Sequence, residues 1–336
     1  MPRLDLSRIV PKFRLAGPLT FAHHRSGWGY AMTSLAPLVK ADGILLDTFV
    51  ESTFSWRLEE LRAAGVTPYR RDWVGFVHNP PGIPIWHEYP SAPQNFFRTP
   101  EWRASLPFCR GLFTFSTTMQ AWLAERTPVP TSALIHPTEA PTRLFDLERF
   151  LSLDRPQIVQ VGSWLRRINS IALLNVKRLK KICLISHQSG RASLESLVAA
   201  EQANNPAMRN ADWSSVKIIE YLDPAAYDEL LSCSLVFLDL YDTTVNNTVI
   251  ECIVRGTPLL CNRLPALVEL LGEDYPLFFS TIEEAAIKAE DASLIQRAAG
   301  HLRGLPKDVF SGDYFAASVA SSDIYRDLPL SVNGVD

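Results

Sequence analysis

The chain has 336 residues with a formal net charge of −3, and 47% of its residues are hydrophobic. This length predicts two domains, and the composition is that of an ordinary globular protein. The weakly acidic balance excludes a nucleic-acid-binding protein of the usual basic kind. Five scattered cysteines, without a C-x-x-C pair, favour buried thiols in a reducing compartment over a disulfide framework or a zinc site.

The N-terminus and the apolar runs decide the expected location of the protein. The first residues, MPRLDLSRIVPKF, lack the apolar core of a signal peptide. No apolar run approaches the roughly 18 residues that would span a bilayer. We therefore expect a cytoplasmic protein, and peripheral contact with the inner face of the membrane stays open.

Strands and helices alternate through the first half of the sequence, because apolar runs are followed by polar or glycine-containing loops. The predicted strands are 18–22, 43–49, 73–77, 110–115 and 131–135. The predicted helices are 30–39, 55–64 and 117–125, the last of them capped by Ser116. Residues 79–100 are rich in proline and aromatic side chains, which is typical of an ordered functional loop or a lid.

A segment with prolines and charges, 140–156, separates this half from a second half with the same alternation. The predicted strands there are 157–161, 181–186, 216–219, 235–240 and 259–261, and the predicted helices include 192–201 and 224–231. Two such halves predict an α/β protein with two Rossmann-like parallel-sheet domains that face each other across a cleft. The predicted extents are 1–145 and 150–310, with a C-terminal segment, 311–336, that packs back on the first domain.

Two loops of the first half carry candidate binding residues. Gly27 and Gly29 lie between the strand 18–22 and the next helix, a layout that lets the backbone approach a phosphate or a sugar closely. An ordinary tight turn explains the same glycines equally well. His78 follows the strand 73–77, where its side chain either meets a ligand or holds its own loop by backbone hydrogen bonds.

The second half carries further candidates after the strands 157–161 and 235–240. Arg166 and Arg167 follow the first of these strands, as phosphate ligands or as solvated charges. A polar loop and the start of a helix follow the second, and backbone amides at such a start bind anions. Its candidate residues are Thr243, Thr244, Asn246, Asn247 and Thr248. Glu251 follows among apolar residues, which favours a ligand role over a solvated helix face.

The segment 247–258, NTVIECIVRGTP, resembles part of a motif of the GT-B-fold glycosyltransferases, in particular the family 4 group of retaining enzymes. In that family two glutamates, separated by seven residues, precede a turn of a small residue, glycine, any residue and proline. Glu251 stands at the second glutamate position, and Thr243 stands at the first. The resemblance covers nearly the whole chain and is strongest over 217–279.

This resemblance implies a glycosyltransferase that moves a sugar from a nucleotide-sugar donor to a glycan, lipid or other acceptor, as in polysaccharide biosynthesis. It implies an acceptor-side first domain and a second domain that binds the donor. Glu251 would bind the ribose, Arg166 and Arg167 the diphosphate, and His78 would lie near the donor sugar. His78 and Glu251 are therefore the candidate catalytic residues, and Gly27 and Gly29 match the family's glycine loop loosely.

No cofactor is expected, because the nucleotide sugar is a substrate. No metal ion is expected either, since the strand ends carry no Asp-x-Asp cluster and since amides and arginines can stabilise a leaving diphosphate. Two alternatives stay open. One is a sugar-nucleotide epimerase or phosphorylase of similar fold. The other is a non-catalytic binding protein on a decayed transferase scaffold, which the threonine at position 243 motivates.

Overall fold

A computed structural model describes Leu6 and residues 9–15, 27–185 and 190–330 of the chain. The chain divides into two compact units: the first combines Met1–Glu139 with Asp308–Asp336, and the second is Ala140–Lys307. Each unit contains a parallel β-sheet with helices packed against its strands. The predicted strand at 18–22 lies outside the described residues.

The described strands are β1 (Phe13–Leu15), β2 (Ile44–Asp47), β3 (Trp73–Phe76), β4 (Cys109–Thr114), β5 (Thr131–Ala133), β6 (Gln157–Val161), β7 (Lys180–Leu184), β8 (Val216–Ile219), β9 (Ser234–Leu238), β10 (Leu259–Asn262) and β11 (Phe278–Phe279). The described α-helices are α1 (Trp28–Ser34), α2 (Leu58–Ala63), α3 (Pro93–Phe96), α4 (Pro100–Ser105), α5 (Thr117–Ala124), α6 (Leu147–Ser152), α7 (Ser170–Leu173), α8 (Gly190–Asn204), α9 (Pro224–Ser232), α10 (Asn247–Arg255), α11 (Pro265–Leu271), α12 (Ile282–Glu290), α13 (Ala292–Gly304), α14 (Gly312–Ser321) and α15 (Asp323–Asp327). A π-helix spans Ser52–Trp56, and a 3-10 helix spans Tyr89–Ser91.

The sheet of the first unit has the order β1-β2-β3-β4-β5 among the described strands, and these strands pair in parallel. All four residues of β3 are buried, and β4 is buried except at Arg110. Such continuous apolar runs are typical of a parallel sheet that is covered on both faces. The loops that follow the strands lie at one edge of this sheet, and His78 belongs to that edge because it follows β3 after one residue, Val77.

The C-terminal helices α14 and α15 belong to the first unit, where α14 packs against α1 and α15 packs against β4. A Cβ atom at Gly111 of β4 would lie 2.7 Å from the Ile324 side chain, so this close approach requires glycine. The buried ammonium group of Lys12 donates to three carbonyl groups at the end of α15, where a cation also complements the helix dipole. These carbonyls belong to Tyr325, Arg326 and Leu328, at 2.8–2.9 Å.

Replacing Lys12 by methionine is expected to lower the free energy of unfolding by about 2 kcal/mol, because three carbonyl groups, two of them in buried bonds, lose a charged donor. Urea denaturation measures this change. Lys40 provides the matched control, since its more accessible ammonium group also donates to a C-terminal carbonyl, that of Leu330, at 2.6 Å. Lys40→Met should change the free energy of unfolding by less than about 0.5 kcal/mol. Equal losses in the two variants would contradict the anchoring role of Lys12.

The sheet of the second unit has the order β11-β10-β9-β6-β7-β8 among the described strands, again with parallel pairing. From β6 the chain proceeds outward through β7 and β8, and from β9 it proceeds outward in the opposite direction. The strand order therefore reverses between β6 and β9. In doubly wound sheets, ligands bind beyond the carboxyl ends of the strands at such a switch point.

The predicted fold, two parallel-sheet α/β domains, is confirmed. β6 and β8 have the predicted bounds, and α10 ends at Gly256, whose φ of +72° is the left-handed conformation that glycine adopts without strain. The predicted helix 55–64 differs, because it begins earlier as the π-helix Ser52–Trp56 and continues as α2. Within the described ranges, no helix combines the length and the apolar character that crossing a membrane would require.

Candidate functional site

Two loops meet at the switch point of the second sheet: residues 162–169 follow β6, and residues 239–246 follow β9. Their backbones are hydrogen-bonded to each other. The amide of Arg167 donates to the Asp239 carbonyl at 2.7 Å, and the amide of Tyr241 donates to the Leu165 carbonyl at 3.0 Å. The two loops therefore form one structural element at the edge of the sheet where a ligand is expected.

The loop after β6 has an unusual backbone. Gly162 has a φ of +76°, and Leu165 has a φ of +54°, which is rare for a residue with a branched side chain. A Cβ atom at Gly162 would lie 3.3 Å from Arg166 Nη2, so glycine admits the guanidinium at close range. Arg166 is fixed by the end of β6 and by its own loop, since Nε donates to the Val161 carbonyl at 3.1 Å and Nη1 donates to the Trp164 carbonyl at 2.6 Å.

The Arg166 guanidinium lies at the N-terminus of α10. Its Nη2 donates to Asn246 Oδ1 at 3.4 Å, and the same oxygen caps α10 by accepting from the Thr248 amide at 3.1 Å. Burial lowers the pKa of Arg166 to about 10, so the group remains a cation at pH 7. Within the described ranges, no carboxylate forms an ion pair with it. A partly buried cation beside the positive end of a helix dipole is an arrangement suited to a phosphate group.

The other residues predicted for this site lie in the same segment. Thr243, Thr244, Asn246 and Thr248 are buried, and Asn247 is partly exposed at the first position of α10. Thr243 closes the loop, because its amide donates to Asp242 Oδ1 and its hydroxyl donates to the Val245 carbonyl, both at 2.8 Å. The structure thus brings the predicted polar segment and Arg166 together at one place.

Arg167 has different partners from Arg166. Its Nη1 donates to Asp239 Oδ1 at 2.7 Å and to the Leu240 carbonyl at 2.9 Å, and its guanidinium lies 4.9 Å from the centre of the Tyr241 ring. Asp239 is buried, and its second oxygen accepts from the Ser170 hydroxyl at 2.6 Å. The charge of Arg167 is therefore already compensated, and the residue ties the loop after β6 to the loop after β9.

A buried polar network supports these loops, and sequence reasoning missed it. Glu201 of α8 is fully buried, and its carboxyl accepts from the backbone and side-chain amides of Asn169, both at 2.8 Å, and from the Tyr241 hydroxyl at 2.6 Å. Trp213 Nε1 donates to the side-chain oxygen of Asn169 at 2.8 Å. Burial raises the pKa of Glu201. The network fixes the end of the loop that carries Arg166.

Glu251 lies in the middle of α10 with a fully buried side chain. Its Oε2 accepts from the Tyr227 hydroxyl and lies 3.6 Å from Arg255 Nη1. Arg255 also pairs at 2.6 Å with Asp228, another fully buried carboxylate. Because Tyr227 and Asp228 belong to α9, these contacts anchor α10 to α9. The Glu251 carboxyl presents no surface to solvent in this arrangement, and its contact with a ribose stays a prediction.

His78 lies at the edge of the first sheet among aromatic rings. Its ring centre is 4.1 Å from that of Phe49, 4.5 Å from that of Trp28 and 5.2 Å from that of Phe115. Its Nε2 donates to the Thr48 carbonyl at 3.1 Å, which places the proton on Nε2. Burial lowers the pKa of His78 to about 3, so the ring is neutral at pH 7. A part in turnover stays a prediction for this histidine.

The glycines Gly27 and Gly29 flank Trp28 at the start of α1. Gly27 precedes the helix with an extended backbone, whereas Gly29 lies in its first turn. The prediction of a loop through Gly29 was therefore wrong at this residue. The helix begins two residues early, where the Trp28 ring packs edge-on against Phe76 and Phe115. Of the two predicted glycines, Gly27 lies outside the helix, as the predicted loop requires, and Gly29 does not.

Glu51 is a second buried carboxylate that sequence reasoning missed. It is fully buried between β2 and the π-helix, and its Oε1 accepts from the backbone amides of His78 and Asn79, both at 2.7 Å. Burial raises the pKa of Glu51 to about 7, and the nearby Asp47 contributes to the increase. Its sequence neighbours, Val50 and Ser52, carry no signal that separates it from a solvated glutamate.

The raised pKa of Glu51 predicts a pH-dependent contribution to stability. The folded state holds this proton up to about pH 7, whereas the unfolded chain releases it near pH 4.5, so the contribution is present below pH 4.5 and is lost as the pH rises to 7. The difference in unfolding free energy between wild type and Glu51→Gln should shift by about 3 kcal/mol over this range. Urea denaturation at several pH values measures the difference, and parallel curves for the two proteins would contradict it.

No protein-family model and no curated protein sequence matches the chain. Solved structures do match it. Sucrose-phosphate synthase from Thermosynechococcus elongatus is 15% identical over 93% of this chain and 82% of its own, with a TM-score of 0.58. Anabaena HepE, solved in complex with UDP and glucose, is 13% identical over 83% of this chain and 77% of its own, with a TM-score of 0.58.

A third similar structure is the UDP-forming α,α-trehalose-phosphate synthase from Burkholderia xenovorans, solved in complex with glucose-6-phosphate. It is 14% identical over 89% of this chain and 77% of its own, with a TM-score of 0.53. At these identities the similarity shows the fold, and the fold is GT-B, as predicted.

Proposed function

We propose that this protein is a glycosyltransferase that uses a nucleotide-sugar donor. One observation carries the proposal: the Arg166 guanidinium lies at the N-terminus of α10, at the switch point of the second sheet. Transfer of a sugar from such a donor releases a diphosphate, on which negative charge grows as the bond breaks. A fixed arginine and backbone amides at a helix start stabilise this charge without reorganisation.

The donor diphosphate would bind to Gly162, Arg166 and the amides at the start of α10. Gly162 lets the Arg166 guanidinium lie close to the backbone, since a Cβ atom there would be 3.3 Å from Nη2, and Thr248 lies in the first turn of the helix. HepE was solved in complex with UDP, and the similar trehalose-phosphate synthase is a UDP-forming enzyme, so UDP-sugars are the first donors to consider. The acceptor would be a sugar, a glycan or a lipid-linked saccharide.

The reaction would not need a metal ion. Arg166 and the dipole of α10 supply positive charge at the leaving group, which is the part that a metal plays elsewhere. Within the described residues, no group of three His, Cys, Asp or Glu side chains is placed to hold a metal ion. Turnover that a chelator abolishes and magnesium or manganese restores would contradict this part of the proposal.

A thermal-shift panel of UDP, GDP, dTDP, ADP and CMP tests the proposal first. A nucleotide that binds the folded protein raises the Tm according to its concentration and affinity. We expect at least one nucleoside diphosphate to raise the Tm of the wild type and to have a smaller effect on Arg166→Ala. The matching nucleotide sugar is then assayed for release of the nucleoside diphosphate. Equal shifts in both proteins, or no shift with any nucleotide, would contradict the proposed donor site.

Release of the nucleoside diphosphate also separates transfer from binding alone. A non-catalytic protein would be stabilised by the nucleotide sugar and would leave it intact. In an active enzyme, His78→Ala should lower turnover more than nucleotide affinity, because we place His78 near the reacting sugar and not near the nucleotide. A variant with reduced stability and normal turnover per folded molecule would instead give His78 a structural role.

A further inference from the structure

The carboxyl group of Glu51 holds the backbone segment directly after β3 in place. Its Oε1 accepts from two consecutive amides, those of His78 and Asn79, directly after β3. Its Oε2 is buried and has no hydrogen-bond partner among the described residues. A buried, half-satisfied carboxyl group reduces stability, and carboxyl groups with perturbed surroundings of this kind occur preferentially at functional sites.

The same short segment of chain also holds the His78 ring. Thr48, three residues before Glu51, accepts from His78 Nε2 at 3.1 Å. The segment 48–51 therefore fixes both the backbone and the ring of His78. With the proton on Nε2, the ring keeps one tautomer, and Glu51 determines where that ring lies relative to the sheet.

A chain of hydrogen bonds continues from Glu51 into the proline-rich segment after β3. Asn79, whose amide is bound to Glu51, donates through Nδ2 to the carbonyl and hydroxyl of Ser91 at 3.2 and 3.0 Å. The Ser91 hydroxyl donates to the Glu88 carbonyl at 2.9 Å. Glu88 has a φ of +46°, a strained conformation that persists only where its surroundings determine it.

We propose that Glu51 is a positioning residue, which sets the place of His78 and of the segment 79–92 at the edge of the first sheet and thereby supports turnover. It acts through the two backbone amides, since its fully buried carboxyl presents no surface to a substrate. This inference rests on the proposed glycosyl transfer. Its first test needs no substrate, so that a failure of the positioning role can be distinguished from a failure of the proposed glycosyl transfer.

The first test is hydrogen exchange of peptides that cover residues 77–92, followed by mass spectrometry. Glu51→Ala removes the acceptor of two amides, and Glu51→Gln keeps an acceptor oxygen of similar size. We expect exchange of the amides at 78 and 79 to rise about tenfold or more in Glu51→Ala and less in Glu51→Gln. Glu101→Gln is the matched control, because Glu101 is also a buried carboxylate of the first unit, bound to Arg62 and not to this segment.

The second test measures turnover of the nucleotide sugar that the panel selects, with UDP-glucose as the first probe. We expect Glu51→Ala to lower kcat about tenfold and Glu51→Gln to lower it less, each with a change in KM of less than about twofold, because misplacing a residue near the reacting atoms affects the rate more than binding. Glu101→Gln should retain the wild-type kcat. Far-UV circular dichroism confirms that each variant is folded, and Glu51→Gln carries the test if Glu51→Ala does not fold.

The outcomes separate the two proposals. Unchanged exchange at 78–92 in Glu51→Gln and Glu51→Ala overturns the positioning role, whatever the activity. Raised exchange with an unchanged kcat also overturns it, since the segment would then be held without effect on turnover. If the wild type turns over no nucleotide sugar, the proposed glycosyl transfer fails, and the exchange result alone decides whether Glu51 positions His78.

Discussion

Replacing Arg166 by alanine is expected to weaken binding of the nucleoside diphosphate by about 2–3 kcal/mol, which is roughly 30- to 150-fold. The guanidinium is held by the carbonyl groups of Val161 and Trp164 and lies beside the capping residue of α10. It therefore meets a phosphate without loss of side-chain freedom. Calorimetry with UDP, or with the diphosphate that the panel selects, measures the change. Affinity for the corresponding nucleoside, which has no phosphate, should stay within about twofold.

Two further variants sharpen this test. Arg166→Lys keeps a positive charge and loses the planar fork of donors, so it should recover only part of the affinity. Arg167→Ala is the matched control, because Arg167 is adjacent in sequence but paired with Asp239. It should lower stability more than it lowers affinity for the diphosphate. A larger loss of affinity in Arg167→Ala than in Arg166→Ala would transfer the phosphate contact to Arg167.

The architecture of the second unit was predictable because its signals are local. β6 and β8 are short apolar runs bounded by polar residues and turns, and Pro224 and Gly256 stand at the helix ends that their backbone chemistry favours. The same signals are weaker in the first unit. There the predicted helix 55–64 begins three residues earlier than predicted, because its first turn is a π-helix, closed by the bond from the Arg57 amide to the Ser52 carbonyl.

The choice between Arg166 and Arg167 was not predictable, because two adjacent arginines have the same chemistry and only the backbone separates them. The positive φ of Leu165 and the bond between the Arg167 amide and Asp239 send one side chain to the start of α10 and the other to a buried carboxylate. Neither feature has a local sequence signal, since leucine rarely adopts that conformation.

The buried carboxylates were missed for a related reason. Glu51 and Glu201 accept backbone amides from segments 27 and 32 residues away in the sequence. A glutamate that faces the core is indistinguishable in sequence from one that faces solvent unless its long-range partners are known. A glutamate in a sequence is therefore assumed to face solvent, because carboxylates are seldom fully buried.

Arg255 shows the same problem at the end of α10, and it gives the largest expected effect on stability. In sequence it is a basic residue in the last turn of a helix, where a solvated cation would complement the dipole. In the structure it is 1% exposed and pairs with Asp228 at 2.6 Å. It also lies 3.6 Å from Glu251 Oε2 and donates to the Glu251 carbonyl at 3.2 Å. One guanidinium therefore lies beside two fully buried carboxyl groups.

Arg255→Met should lower the free energy of unfolding by about 4 kcal/mol, because the methionine fills the space but leaves Asp228 and Glu251 without their counter-charge. Denaturation in urea gives the value. Arg149→Met is the control, since Arg149 pairs with the partly exposed Glu229, and such a surface pair contributes little to stability. Adding Asp228→Asn to Arg255→Met removes one of the two stranded charges, so the double variant should be more stable than Arg255→Met alone. A loss of less than about 1 kcal/mol in Arg255→Met would contradict the role of Arg255 as the counter-charge of this cluster.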